Sequence, residues 1–179
     1  MPLNKERIIE VNGKFTMEMS RRIVKTIDEM AVSDPTEAIV FKINSNGGSL
    51  RAAQSIIEAI KATSCEIITF IPGTVAASCA AILFLQGNER IMLEGSELLF
   101  HEPVWITSKP QMYSYTEFLE ECKNFKKAYK MCLNEINRVV NLPKKVIAEK
   151  IKEGDYILSA KEAKKNGAAT RIIKKITEL

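Results

Sequence analysis

The sequence predicts an α/β protein built on a mostly parallel sheet, and three observations carry this prediction. In the first half of the chain, short apolar runs alternate with segments whose apolar residues recur at helical spacing, which indicates consecutive β-α-β units. Residues 38–43 are apolar at nearly every position, as expected of a strand covered on both faces. Turn-forming pairs such as Asn12-Gly13 and Pro72-Gly73 separate the runs.

The predicted elements are short, with one exception. Strands are predicted at residues 8–11, 38–43, 67–71, 90–93, 98–101 and 169–173. Helices are predicted from Thr16 to residue 31, from Ser49 through residue 60, at 76–85, at 115–140, from Pro143 to near Gly154, and from Ser159 onwards.

The exception is the helix at residues 115–140. At 1.5 Å per residue it would extend about 39 Å, so we expect it to project and pack against another subunit. The chain has no linker, internal repeat or low-complexity tract. We therefore expect residues 1–179 to form a single domain.

Composition excludes several classes of protein. The balance of 46% apolar and 27% charged residues is that of a globular chain and not a disordered one. The net charge of +4 rests on basic residues spread over the chain, without the interleaved aromatic residues of a nucleic-acid platform. We therefore expect no nucleic-acid partner. The apolar stretch at 67–85 is broken by Pro72-Gly73, which argues against a membrane partner or span.

The cysteines and the single histidine argue against a metal site. Cys65, Cys79, Cys122 and Cys132 form no C-x-x-C pair, and one histidine cannot complete a Cys/His zinc site. We expect no metal and no other cofactor. The first residues lack the apolar segment of a secretory signal, so reduced thiols and a cytoplasmic location are expected.

A hydroxyl and an imidazole lie where catalytic groups are often found. Ser78 follows a strand and a Pro-Gly break and lies in the first turn of a predicted helix, whose free N–H groups favour negative charge. His101 ends a predicted strand, and any chemistry in this chain that needs imidazole must use it. On these residues alone, a capping serine and a structural histidine are simpler interpretations and stay open.

Two further pieces would complete a site for acyl transfer. Asp155 lies between a predicted helix end and the S-x-x-E box that begins at Ser159, and it can orient a histidine. Asn46-Gly47-Gly48 can bring a backbone N–H close to a carbonyl oxygen, although a plain turn is the alternative. The sequence has no phosphate-binding glycine motif and no G-x-S-x-G elbow.

Four motifs follow one another in a characteristic order. They are I-N-S-N-G-G at 43–48, A-A-S at 76–78, F-H-E-P at 100–103, and D-Y-I-L-S-A-K-E-A at 155–163 with a glycine after it. They resemble the I-N-S-P-G-G, A-A-S, I-H-Q-P and D-R-F-L-S-A-x-E-A motifs of the Clp protease proteolytic subunit family, ClpP. The resemblance covers about residues 7–173, and the order and spacing make it stronger than any single motif.

The resemblance implies a crotonase-like superhelix of repeated β-β-α units, with the helix at 115–140 as the handle through which two rings interlock. It implies a serine endopeptidase that hydrolyses unfolded or small peptide substrates inside an oligomeric chamber. The implied residues are the triad Ser78, His101 and Asp155, the oxyanion-hole N–H groups of Gly48 and Cys79, and the substrate-flanking strand residues Ser49, Leu50 and Val104.

Several positions depart from the family pattern. Lys42 replaces a surface aromatic residue, and the segment before Arg7 is shorter than in the family, which leaves a Clp-type ATPase partner open. Gly154 replaces the arginine before the aspartate, and the stretch that precedes it is longer, with the excess near 107–114. We expect a homo-oligomeric ring, and stacking of two heptamers stays open.

Two other functions stay open beside the peptidase. A subunit of the same fold could be structural or regulatory and catalytically silent. A crotonase-type acyl-CoA enzyme would use paired backbone N–H groups without needing a serine–histidine pair.

Overall fold

The computed structural model describes residues 4–104 and 112–179, and strands and helices alternate along that part of the chain. The strands are β1 (Ile8–Asn12), β2 (Ile39–Asn44), β3 (Ile67–Ile71), β4 (Val75–Ala77), β5 (Glu89–Leu93), β6 (Glu97–Phe100), β7 (Tyr156–Ser159) and β8 (Arg171–Ile173). The α-helices are α1 (Met17–Ser33), α2 (Leu50–Ala62), α3 (Cys79–Phe84), α4 (Tyr115–Val139), α5 (Lys144–Glu153) and α6 (Ala160–Lys165).

The strands form two sheets. The main sheet has the order β1-β2-β3-β5-β8, and each neighbouring pair is parallel. The second sheet has the order β4-β6-β7, in which β4 is parallel to β6 and β7 is antiparallel to it. The predicted α/β class with a mostly parallel sheet is confirmed.

The main sheet is buried because its inner strands are apolar at consecutive positions. All five residues of β3 are buried, and in β2 only Lys42 and Asn44 are not. Helix α1 packs Ile23 and Ile27 into the core, and α2 packs Ile56 there. The helical stripes therefore pack with strand residues in a large apolar cluster, while other residues of β2, β3, β5 and β8 form a second, smaller cluster.

Three helices begin at predicted capping residues. Thr16 accepts a hydrogen bond from the amide three residues on at 3.1 Å, and Ser49 does the same at 3.3 Å. Ser159 and Glu162 form a reciprocal capping box. Each cap satisfies an N–H group that has no partner inside its helix. The Ser49 cap also sets the start of α2 directly after the glycine loop.

The prediction for the helix near Ser78 was wrong, and a strand next to Asp155 was not predicted. The helix predicted at 76–85 begins only at Cys79, because Val75–Ala77 form strand β4 against β6. Ser78 therefore precedes the helix and does not lie in its first turn. Strand β7 was not predicted, although it pairs with β6 over four residues. Both strands are short, and their pairing with β6 decides their conformation.

The prediction of one long helix is confirmed by α4, which has 25 residues. Its first turns are exposed, and Tyr115 has 79% of its surface accessible. Its second half is fixed to the body through Glu135, which accepts hydrogen bonds from Lys61 at 2.7 Å and from Gln86 at 3.2 Å. The helix therefore projects from the sheets and is held at its carboxyl half.

Candidate active site

The second sheet brings Ser78 and His101 to the same end. Ala77 of β4 is aligned with Leu99 of the parallel strand β6. Ser78 and His101 therefore lie just beyond the carboxyl ends of two adjacent strands. The amide of Ser78 donates a hydrogen bond to the Leu99 carbonyl oxygen at 2.9 Å, which holds the serine against β6.

The antiparallel pairing of β6 and β7 brings Asp155 to that end as well. Phe100 is aligned with Tyr156, so His101 and Asp155 occupy the next pair of positions beyond the ladder. Side chains at directly opposed positions are about 4.5–5.5 Å apart at Cβ within a regular ladder. The register of the second sheet thus brings the backbone of Asp155 to the end of β6, where His101 lies.

His101 and Asp155 are not hydrogen-bonded to each other among the residues that the structure describes. The Nδ1 atom of His101 instead contacts the carbonyl oxygen of Glu102 at 2.6 Å. Asp155 is exposed, whereas His101 is partly buried. The second sheet therefore brings the backbones of the three residues to one end, but the described residues show no hydrogen bond that would close a triad.

The backbone of Ser78 is strained. Its φ is 59° and its ψ is −128°, and it is the one non-glycine residue with positive φ in the described part of the chain. Such conformations cost free energy and persist where the surrounding structure enforces them, often at functional sites. In α/β-hydrolases a nucleophilic serine occupies a similar sharp turn between a strand and a helix.

Gly47 packs against Ser78 so closely that a side chain would not fit. A Cβ atom on Gly47 would lie 2.7 Å from the Ser78 Cβ atom and 2.8 Å from the Ala77 carbonyl oxygen. It would also lie 3.2 Å from the Cys79 amide nitrogen. The glycine is therefore required by close approach, and the simple-turn interpretation of this loop does not explain it.

The next residue of the loop, Gly48, has its amide on the side of Cys79. Phe15 pairs with Gly48 in a parallel bridge in which the amide of Phe15 donates to Gly47 and the amide of Ser49 donates to Phe15. This pattern leaves the N–H group of Gly48 on the side away from Phe15. That N–H lies on the side of the Cys79 thiol, where it acts to lower the pKa of the thiol.

Cys79 supplies a second amide and a buried thiol. Its N–H group is the first of helix α3, so it has no acceptor within the helix. Burial raises the pKa of the thiol to about 11, and the nearby Gly48 amide opposes this rise only in part. The thiol is therefore uncharged at neutral pH and is a weak nucleophile.

A cavity of about 1250 Å³ opens beside these groups. Ser78, His101, Ser49, Leu50 and Val104 line it, as do the glycine loop and Cys79, whereas Asp155 does not. Ser49, Leu50 and Val104 border the cavity, but the prediction that Ser49 and Leu50 lie in a strand was wrong, because Ser49 caps α2 and Leu50 begins it. The stretch after Val104 lies outside the described residues.

The far wall of the cavity comes from α4 and was not predicted. It consists of side chains at helical spacing: Phe125, Ala128, Tyr129, Cys132, Leu133 and Ile136. This spacing is visible in the sequence and predicts a face turned toward other residues. It does not say that the face borders a cavity, which depends on the angle at which α4 crosses the body.

Two groups on this wall have raised pKa values. Burial raises the pKa of the Cys132 thiol to about 11. Burial also raises the pKa of the Tyr129 phenol, and the nearby Glu102 carboxylate adds to the effect through its charge and hydrogen bonding. Both side chains are therefore uncharged at neutral pH, which keeps this wall of the cavity largely apolar.

The structure also bears on metal ions and membranes. In residues 4–104 and 112–179, no group of three or more His, Cys, Asp or Glu side chains is arranged to hold a metal ion. Within the same residues, no helix is both long enough and apolar enough to cross a bilayer.

One residue that departs from the family pattern, Lys42, forms an ion pair in this structure. Lys42 lies opposite Glu10 on the neighbouring strand and forms an ion pair with it at 2.9 Å. Gly154 ends helix α5 just before Asp155. Most of the extra length expected near 107–114 lies outside the described residues.

Comparison with known proteins agrees with the motifs. The model of the Clp protease family matches residues 1–176. The ATP-dependent Clp protease proteolytic subunit 3 of Synechococcus sp. (strain CC9605) is 29% identical over 173 residues, which cover 96% of this chain and 84% of that protein. Subunit 2 of Prochlorococcus marinus (strain MIT 9312) is 29% identical over 173 residues, covering 96% and 83%. The subunit of Leuconostoc citreum (strain KM20) is 35% identical over 104 residues, covering 57% and 52%.

Proposed function

The chain belongs to the Clp protease family, and on that premise we propose that it is a serine endopeptidase whose nucleophile is Ser78 and whose general base is His101. Membership in this family indicates a peptidase. The observation that supports these residues is the common end of β4 and β6, where the strained Ser78 and the partly buried His101 line one cavity.

The tautomer of His101 suits the role of a base. The carbonyl oxygen that contacts Nδ1 can only accept a hydrogen bond, so Nδ1 carries the hydrogen of the neutral ring. The other nitrogen, Nε2, is then free to accept a proton. We assign this acceptance to the Ser78 hydroxyl as its oxygen attacks a peptide carbonyl carbon.

The remaining steps use groups at the same sheet end. The oxygen of the attacked carbonyl gains negative charge and would receive hydrogen bonds from the N–H groups of Gly48 and Cys79. The histidine then passes the proton to the leaving amine, and water releases the acyl group from Ser78 by the reverse sequence. Asp155 would stabilise the imidazolium after the His101 side chain turns toward it.

The substrate we propose is an extended, unfolded or small peptide. Its backbone would lie beside Ser49, Leu50 and Val104, which border the cavity. An apolar side chain beside the scissile bond would enter the space lined by α4.

We propose further that the chain works as a cytoplasmic homo-oligomeric ring that encloses the sites. The beginning of α4 and the segment before it expose large apolar side chains, among them Met112 at 100%, Tyr115 at 79% and Phe118 at 51%. Exposed apolar area of this kind is typical of a protein interface. Stacking of two rings and a Clp-type ATPase partner stay open, although the relatives are named ATP-dependent.

Covalent labelling tests the nucleophile directly. A fluorophosphonate probe should modify Ser78 in the assembled protein, as shown by mass spectrometry of the peptide that contains it. The variant Ser78→Ala should lose both the label and peptide hydrolysis. The matched control Ser64→Ala, at an exposed serine outside the cavity, should retain both. Hydrolysis that survives Ser78→Ala would contradict the proposal.

A catalytically silent subunit is the second candidate. It is favoured by the engagement of His101 Nδ1 with the Glu102 carbonyl and by the exposure of Asp155. In this case the particle would assemble without hydrolysing peptides, and the probe would leave Ser78 unmodified. Peptide cleavage that depends on Ser78 would exclude it.

A further inference from the structure

The cavity beside Ser78 carries an uneven distribution of charge. In the described part of the chain, the Lys, Arg, Asp and Glu residues that line the cavity are Lys14, Arg51 and Glu121. Lys14 lies between β1 and α1, and Arg51 lies in the first turn of α2. Glu121 lies on α4, which forms the opposite wall. The two cations therefore share the side of the glycine loop, and the single carboxylate is on the far side.

Both cations flank Gly48. Lys14 precedes Phe15, which pairs with Gly48 in a parallel bridge. A Cβ atom on Gly48 would lie 2.9 Å from the Cγ atom of Lys14. Arg51 follows Gly48 by three residues and is the second residue of α2. Lys14 and Arg51 thus line the same side of the cavity as Gly48.

No acidic side chain neutralises these cations. Among residues 4–104 and 112–179, neither Lys14 nor Arg51 takes part in an ion pair. The first turn of α2 contains no acidic residue, so the positive end of this 13-residue helix is not compensated there. Both side chains are exposed and can reach a bound peptide.

From this arrangement, and on the basis of the proposed endopeptidase function, we infer that Lys14 and Arg51 form a subsite for an acidic side chain of the substrate. The preferred substrates are extended peptides with an Asp or Glu within a few residues of the scissile bond. The carboxylate lies on the glycine-loop side, away from Glu121. A basic residue at the same position is disfavoured, because it meets two positive charges.

Matched peptides test this inference. Each peptide carries Glu, Gln or Lys at one position, and the position is moved across the four residues on either side of one cleavage site. At one or two positions, Glu should raise kcat/KM over Gln about two- to fivefold, as expected for exposed charge pairs, and Lys should lower it. The Glu-to-Gln ratio should fall toward one at high salt, because exposed charges are screened.

Variants assign the preference to the two cations. In the double variant Lys14→Gln, Arg51→Gln the Glu-to-Gln ratio should fall to about one, and in Lys14→Glu, Arg51→Glu the preference should change to Lys. The control Lys25→Gln, at an exposed lysine of α1 outside the cavity, should keep the wild-type ratio. A ratio of one at every position in the wild type, with Ser78-dependent cleavage present, overturns the subsite and leaves the proposed function intact.

Binding measurements test the subsite independently of peptide hydrolysis. Fluorescent Glu and Gln peptides are titrated against the Ser78→Ala protein, and their Kd values are compared by anisotropy. Tighter binding of the Glu peptide, abolished in the triple variant with Lys14→Gln and Arg51→Gln, supports the subsite even if no peptide is hydrolysed. Equal Kd values for the two peptides overturn it.

Discussion

The Nδ1 atom of His101 lies 2.6 Å from the main-chain carbonyl oxygen of Glu102, its neighbour in the chain. This contact selects the tautomer that a general base needs, because it keeps the hydrogen on Nδ1. A carbonyl oxygen carries no full charge, however, and stabilises an imidazolium less than a carboxylate does. Asp155, one position beyond the β6–β7 ladder, is the carboxylate whose backbone lies opposite His101.

Replacing Asp155 tests which oxygen supports His101 during the reaction. If the aspartate stabilises the imidazolium, Asp155→Asn should lower kcat about 10²- to 10⁴-fold with little change in KM. The control Glu153→Gln, at an exposed carboxylate two residues earlier, should stay within about twofold. Steady-state kinetics on one fluorogenic peptide measures both. A loss of less than about tenfold in Asp155→Asn would mean that the Glu102 carbonyl suffices.

The contact between Gly47 and Ser78 predicts a large effect of one methyl group. Gly47→Ala introduces a Cβ atom 2.7 Å from the Ser78 Cβ atom, at a residue whose φ is +90°. The serine must move, so we expect peptide hydrolysis to fall at least about 10²-fold.

Gly95→Ala is the matched control for that substitution. Its φ is +96°, but nothing lies within 4 Å of the added Cβ atom. It should cost only about 1 kcal/mol of stability, from the unfavourable φ, and should keep kcat near the wild-type value. Thermal unfolding and kinetics of the two variants separate backbone strain from displacement of Ser78. Equal loss of activity in both would contradict the role of close approach.

Glu135 predicts a pH-dependent contribution to stability. Burial raises its pKa, but hydrogen bonds from Lys61 and Gln86 and the charges of Lys61 and Arg138 together outweigh burial and lower the pKa in the folded protein. A lowered folded pKa gives a stabilisation that is complete above the ordinary glutamate pKa of about 4.3 and is lost as the pH falls below it.

The variant Glu135→Gln should therefore unfold more easily than the wild type at pH 7, by about 1–3 kcal/mol. The difference should shrink as the pH falls from about 5 toward the folded pKa. Urea unfolding at several pH values measures it. Glu120→Gln, at an exposed carboxylate 3.8 Å from Lys123, should change stability by less than about 0.5 kcal/mol at any of these pH values. A difference for Glu135→Gln that is constant with pH would contradict the prediction.

The thiols should differ strongly in reactivity. Cys122 is exposed, whereas burial raises the pKa values of Cys79 and Cys132 to about 11. At pH 8, a thiol of pKa about 11 is ionised in about one molecule in a thousand, and the thiolate is the reactive form. Iodoacetamide should therefore alkylate Cys122 first in the folded protein, as measured by peptide mass spectrometry. Labelling of the folded Cys122→Ser variant should be slow, and fast labelling at Cys79 would contradict the prediction.

The sequence predicted the main sheet well because its signals are local. Continuous apolar runs marked β2 and β3, and Thr16, Ser49 and Ser159 marked the beginnings of three helices, as the structure confirms. Strands β4 and β7 have no comparable local signal. Alanine suits a small-residue helix as well as a strand, and β7 is half exposed, with Ile157 at 46%.

For the candidate site, the sequence by itself determined which chemical groups are present and in which order: a glycine loop, a serine after two alanines, one histidine and an aspartate before a capped helix. Their roles stay predictions. Only the tertiary structure decided that Ser78, His101 and Asp155 share one sheet end, that Ser78 adopts a strained backbone against Gly47, and that His101 contacts Glu102. These relationships depend on the pairing register of strands far apart in the chain, and register is set by the packing of whole elements.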